Sequence, residues 1–146
     1  MPELAAIAFR RQAKGRMLEI AEVDIDRETG VVPDTRGKPG RRQVSVLSLP
    51  SWRDACAELG ADLPWTFRRA NLLVDGLRFS AADVGRILRI GEVELELTVE
   101  TDPCPRMDAQ HAGLTAALTP DWRGGVCGRV RRAGRVRVGD AVGFAD

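Results

Sequence analysis

Ile87-Leu88-Arg89-Ile90-Gly91-Glu92-Val93-Glu94-Leu95-Glu96-Leu97-Thr98-Val99 is the stretch that decides the fold. Val93, Leu95, Leu97 and Val99 alternate with Glu92, Glu94, Glu96 and Thr98. A period of two sends apolar groups to one face of a strand and acids to the other. Ile87, Leu88 and Ile90 predict a shorter strand just before it, with a turn at Gly91-Glu92. The alternation returns in Arg135-Val136-Arg137-Val138, behind a turn at Ala133-Gly134.

Two further strands change phase midway. Leu18 and Ile20 give way to Ala21, Val23 and Ile25, and Val44 and Val46 give way to Leu47 and Leu49. A bulge, strong coiling or burial on both faces accounts for such a shift. Helical signals are few. Ser51 with Asp54 suggests a cap, after which Trp52, Ala55, Cys56 and Leu59 share one face and Gly60 ends the run. Ser80, Asp83 and Gly85 outline a single turn, and Asp108 or Thr115 starts a short helix through Leu118. Residues 30–40 read as a long internal loop. The pattern predicts one mainly β domain over residues 1–146, a small barrel or a β-rich sandwich with a few short helices.

Composition narrows the function. The chain is 44% hydrophobic and 29% charged, with a net charge of +1, so it is neither disordered nor a general nucleic-acid magnet. No apolar run reaches the roughly 18 residues of a membrane span. Met1-Pro2-Glu3-Leu4 does not read as a secretion signal, so a cytoplasmic protein is expected. Of the 22 basic residues only Lys14 and Lys38 are lysine. A GC-rich genome alone produces such a bias, but arginine also grips phosphate with a planar fork. Arg123, Arg129, Arg131, Arg132, Arg135 and Arg137 follow one another with no acid until Asp140.

Three cysteines, at 56, 104 and 127, give no paired spacing, and His111 is the only histidine. A disulfide framework and a structural zinc site, which takes about four soft ligands, are both disfavoured. Cys56 falls on the apolar helix face and reads as core. Cys127, within Gly124-Gly125-Val126-Cys127-Gly128, reads as packing. Cys104 differs, because Thr101-Asp102-Pro103-Cys104-Pro105-Arg106 places it between two prolines just beyond a strand. Neither proline donates to a ladder, and both restrict φ, so the thiol sits on a stiff loop. Arg106 supplies a nearby cation that favours a thiolate, the form that binds soft metals and attacks sulfur. Trp122-Arg123-Gly124-Gly125 offers backbone amides and a guanidinium suited to an oxyanion. Nucleophile-elbow, Walker and dinucleotide motifs are absent, and no histidine is placed to make a cysteine-protease pair.

Read in order, several pieces resemble the MOSC family, named for the C-terminal domain of molybdenum cofactor sulfurases. They are Gly40-Arg41-Arg42-Gln43-Val44-Ser45-Val46-Leu47, Arg69-Ala70-Asn71-Leu72-Leu73-Val74-Asp75-Gly76-Leu77 and Gly85-Arg86-Ile87-Leu88-Arg89-Ile90-Gly91. Next come Pro103-Cys104-Pro105-Arg106-Met107, Gly113-Leu114-Thr115-Ala116-Ala117-Leu118, Trp122-Arg123-Gly124-Gly125-Val126 and Gly134-Arg135-Val136-Arg137-Val138-Gly139-Asp140-Ala141-Val142. The resemblance implies a small, largely antiparallel β-barrel that binds a pyranopterin molybdenum cofactor. It makes Cys104 the metal ligand or a persulfide carrier, and Arg42, Arg69, Asn71, Arg123 and Gly124 the cofactor-binding set. The implied chemistry is molybdenum-dependent reduction of N-hydroxylated compounds, or sulfur transfer to metal–sulfur centres, with a desulfurase or a redox protein as partner.

Pro33 stands before Asp34 where many members have glycine, which puts a role for Asp34 in doubt. Pyridoxal phosphate is not expected here, since neither Lys14 nor Lys38 sits in a Schiff-base setting. The rival expectation is a non-catalytic module that binds RNA or another anion through its arginine-rich surface, although few aromatics are present to stack bases.

Overall fold

A computed structural model of the protein describes residues 1–13, 15–35 and 37–145. Lys14, and Arg36 in the long loop, lie outside the described residues.

The decisive stretch forms the expected hairpin. Strands β7 (Ile87–Ile90) and β8 (Val93–Glu100) pair antiparallel, with Ile90 opposite Val93. Gly91 turns the chain with φ +55°, in the left-handed region that glycine enters without strain. Val93, Leu95 and Leu97 are fully buried, as the alternation requires.

The other strands are β1 (Glu3–Phe9), β2 (Leu18–Ile20), β3 (Glu22–Asp26), β4 (Gly30–Val31), β5 (Val44–Ser48), β6 (Leu72–Asp75), β9 (Val126–Arg132), β10 (Gly134–Arg137) and β11 (Val142–Phe144). Eight form one sheet in the order β11-β7-β8-β9-β5-β6-β1-β2, and three form a second in the order β10-β3-β4. Every pairing is antiparallel except β5 with β6. A parallel pair needs a long crossover, and helix α1 (Leu49–Leu59) lies within it.

The fold is therefore mainly β and largely antiparallel, with few helices. The ladders leave the large sheet open, with β2 and β11 as its edges. One isolated bridge, Glu3 to Ala141, ties β1 to the segment before β11, supported by the Leu4 amide on the Asp140 carbonyl at 2.9 Å. The closed barrel implied by the resemblance is thus not established by the strand pairing.

The two phase changes have different causes. At Ala21 the chain leaves one sheet and enters the other, so Leu18–Ile20 and Glu22–Asp26 are separate strands and not one bulged strand. β5 is instead buried on both faces. Val44 and Val46 join a core with Leu72, Val74, Leu95 and Val126, while Leu47 joins a second core with Trp52, Trp65, Leu73, Leu114 and Leu118. Leu49 belongs to the helix.

α1 begins three residues earlier than expected. Ser48, not Ser51, is the cap, and its hydroxyl accepts from the Ser51 amide at 3.2 Å. Gly60 closes the helix with φ +62°. The turn at 81–83 has the expected capping box of Ser80 and Asp83. Residues 107–118 form two short helices, α2 (Met107–Gln110) and α3 (Leu114–Leu118), and Asp108 accepts from the Thr115 amide at 3.0 Å. Among the described residues no helix is long and apolar enough to cross a membrane.

Candidate functional site

β8 ends at Glu100, and the prolines on either side of Cys104 prevent its continuation. The loop that follows is held at several atoms. The Thr101 amide donates to the Gly125 carbonyl at 2.9 Å. The Cys104 carbonyl accepts from the Met107 amide at 2.9 Å and from the Thr115 hydroxyl at 2.9 Å. Cys104 is thereby presented on a fixed backbone, and its side chain is exposed.

A buried arginine organises the floor beneath this loop. Arg68 closes the 3-10 turn Trp65–Arg68 and is 8% exposed. Its Nε donates to the Gly124 carbonyl at 2.9 Å and its Nη2 to the Thr101 carbonyl at 2.6 Å. Burial lowers its pKa, while the neighbouring Cys104 and Cys127 thiols, then Asp102 and Glu100, act in the opposite direction. Gly124 has no room for a side chain, since a Cβ there would stand 2.5 Å from the Thr101 carbonyl oxygen and 3.2 Å from Pro103 Cδ.

Beside Cys104 lies a cavity of about 540 Å³. Arg10, Arg42, Arg68, Arg69 and Arg106 line it with Ser45, Thr101, Met107, Gln110, Gly124 and Cys127, and among the described residues no carboxylate takes part. Five arginines around one concave space bias its potential toward positive. Arg69 reaches the wall from a left-handed backbone (φ +61°), a conformation uncommon for a side chain of this size, and its Nη1 donates to the Gly15 carbonyl at 3.0 Å. Just beyond the lining, burial and the neighbouring Asp102 raise the pKa of Glu100.

Of the residues singled out in the sequence, the cavity brings together Cys104, Arg106, Arg42, Arg69 and Gly124. Asn71 and Arg123 do not line it. Asn71 is buried behind the wall, where its amide oxygen accepts from the Ser45 amide at 3.2 Å and its nitrogen donates to Asp34 at 3.0 Å. That bond gives Asp34 a place in the fold, holding the long loop against β1 and β6. Arg123 turns toward the helices, donating to the Ala117 carbonyl at 3.0 Å and pairing with Glu58 at 2.7 Å, while its buried Nε lacks a hydrogen-bond partner. His111 bonds its neighbour's carbonyl at 3.0 Å and is likewise not part of the lining.

Sequence reasoning missed Arg68 and Arg10, and it read Cys127 as packing alone. Cys127 is buried, yet it borders the cavity, with its sulfur 3.2 Å from the Thr101 hydroxyl. Nothing in the pair Arg68-Arg69 says which guanidinium turns inward. That depends on the left-handed residue at 69, which no local motif announces.

The family model for the MOSC domain matches residues 26–143. No functionally curated protein matches the chain by sequence. Among solved structures, the YuaD protein from Bacillus subtilis superposes with a TM-score of 0.82 at 18% identity, over 97% of this chain and 94% of that one. YiiM from Geobacillus stearothermophilus gives 0.76 at 15% identity, over 100% and 76% of the two chains. YiiM from Escherichia coli gives 0.73 at 17%, over 100% and 70%. At such identities these likenesses speak for the fold alone. The motif order, the cavity at the Pro-Cys-Pro loop and the family match over most of the chain lead to one assignment: this chain belongs to the MOSC domain family.

Proposed function

We propose that the cavity beside Cys104 binds a pyranopterin molybdenum cofactor, with the Cys104 sulfur as metal ligand or as carrier of a sulfane sulfur. The observation behind this reading is an exposed thiol on a fixed loop, at a cavity lined by five arginines and, among the described residues, no carboxylate. The volume lies within the range of about 300–1,000 Å³ that suits a ligand of this size. Among the described residues no cluster of three or more His, Cys, Asp or Glu could hold a metal ion. A metal held here by one protein sulfur needs its other ligands from an organic group, and a soft thiolate suits a metal already bound to sulfur.

Arg42, Arg69, Arg10 and Arg106 would grip the anionic end of the cofactor, because guanidinium forks match phosphate oxygens. Arg68 has its Nε and Nη2 on two carbonyls and so acts on the ligand through charge and loop position. Asn71 holds the wall behind the site and does not touch the ligand. When bound, the cofactor supplies the two-electron redox chemistry for N-hydroxylated substrates. In the sulfur-carrier variant, the Cys104 thiolate attacks the outer sulfur of a donor desulfurase's persulfide, the donor's cysteine leaves as thiolate, and Cys104 presents the sulfane sulfur to an acceptor. A redox protein is the corresponding partner of the reductase variant, and in either the cytoplasm suits three unpaired cysteines.

The RNA-binding alternative draws less support. Arg131 pairs with Glu96, Arg135 with Glu22 and Asp24, and Arg137 with Glu22, so half of the six arginines in the C-terminal run already face acids on the sheet surface.

Metal analysis after expression in a cofactor-producing host tests the proposal. The wild type is expected to retain molybdenum, Cys104→Ser to lose it, and Arg42→Ala with Arg69→Ala to lose cofactor and metal together. Equal metal content in wild type and Cys104→Ser overturns the role of the sulfur.

A further inference from the structure

We infer that a second anion subsite, made by Lys38, Arg41 and Arg42, takes the second phosphate of a diphosphate ester whose body occupies the main cavity. The ligand's body rests on the cofactor reading above, whereas the subsite rests on the loop itself. A smaller cavity of about 280 Å³ is lined by Lys38, Pro39, Gly40, Arg41 and Arg42. Arg42 lines both cavities, so the two spaces share one residue. Among the described residues neither lining contains a carboxylate. Elsewhere on the sheet surface arginines sit against acids, as Arg131 does on Glu96 and Arg89 on Glu94.

The loop is anchored at its Arg41–Gln43 end, although the side chains of Lys38, Arg41 and Arg42 are exposed. Gln43 is 6% exposed, donates to the Arg27 carbonyl at 2.8 Å and accepts from the Val130 amide at 2.9 Å. The Thr98 hydroxyl donates to the Arg41 carbonyl. Three cations held in one concavity without an acid repel one another, and a bound anion relieves that repulsion. Gly40 has φ +138° and open space for 4 Å around its missing Cβ, so an oxyanion can approach this backbone closely. A single phosphate would engage Arg42 from one cavity only. A diphosphate would engage it from both and add Lys38 and Arg41.

Calorimetry on the purified full chain at constant ionic strength, with inorganic pyrophosphate and with orthophosphate, tests the subsite. Wild type is expected to bind pyrophosphate about tenfold more tightly than orthophosphate, the gain of added charge-assisted contacts. The double variant Lys38→Ala, Arg41→Ala should keep its orthophosphate affinity and lose that preference. Both side chains are exposed, so the variant should melt with the wild type. Absent or equal binding of the two anions by wild type overturns the subsite, as does a preference that survives in the double variant. Pyrophosphate preference in a protein that retains no molybdenum sinks the cofactor reading and leaves the subsite standing. Molybdenum retention without the preference does the reverse.

Discussion

Arg68 Nη2 donates to the carbonyl oxygen of Thr101 at 2.6 Å, and this contact joins the turn before β6 to the loop that presents Cys104. The same guanidinium also bonds the Gly124 carbonyl. One buried cation thus links three segments that are far apart in the chain, and it does so where, among the described residues, no carboxylate lines the cavity.

Arg68→Met removes both bonds and leaves two carbonyls short of a donor. Hydrogen bonds to charged groups are worth about 1.5–3 kcal/mol each, and burying an unsatisfied carbonyl adds to the loss. The expected cost is about 2–4 kcal/mol in urea unfolding, near the upper end of single substitutions. Arg68→Lys should recover only part, because one ammonium cannot reproduce the fork. A loss under about 0.5 kcal/mol, the scale of ordinary surface changes, would show that the bonds do not hold the loop.

Gly124 and Gly125 separate steric from conformational need. A Cβ at Gly124 meets the Thr101 carbonyl oxygen at 2.5 Å, with Arg68 Nη2 at 3.3 Å. A Cβ at Gly125 meets the Val46 carbonyl oxygen at 2.6 Å and must also adopt φ +105°. Gly124→Ala is expected to cost about 1–3 kcal/mol as overpacking. Gly125→Ala should cost more, since left-handed strain adds roughly another 1 kcal/mol. Denaturant melts that rank the two in the opposite order would refute this account.

Glu100 predicts a pH effect. Burial, then the charge of Asp102, raise its pKa in the fold, with Arg68 opposing. A carboxyl whose folded pKa lies above the unfolded one is held preferentially in its neutral form. Its contribution to stability is full below the unfolded value and is lost as pH rises through the folded value. Glu100→Gln should therefore raise the melting temperature at pH 7, with the gain shrinking toward zero near pH 4. Melts of both proteins at the two pH values decide it, and a gain that grows on acidification contradicts the assignment.

Where one face of a strand tells the whole story, the sequence is easy to read. The β7–β8 hairpin follows from alternation and one glycine, and Gly60 marks the end of α1 as any left-handed cap would. The phase change at Ala21 was visible, but its cause, a move to a second sheet, depends on pairings with β4 and β10 that no local window contains. The site divides in the same way. Cys104 stands out because proline chemistry is local. Arg123 and Asn71 carry the right functional groups for a ligand, yet Glu58 and Asp34, distant in sequence, engage them first. Arg68 is the converse case, a residue without a motif that the topology turns toward the thiol.

Accessibility of the three thiols provides a direct check on the site's geometry. Cys104 is exposed, Cys56 is half-buried against the helical core, and Cys127 is buried beneath the Thr101 hydroxyl. Thiol reagents attack a reachable sulfur, and closed packing slows them by the free energy of local opening. Native protein treated with a bulky maleimide should show one fast equivalent, absent in Cys104→Ser, with Cys127 modified only on unfolding. Orthophosphate or pyrophosphate bound in the cavity should slow the fast phase by crowding the same mouth. Fast labelling of Cys127, or an unchanged fast phase in Cys104→Ser, would mean that the loop does not present its sulfur as described, and the role proposed for that atom would fail with it.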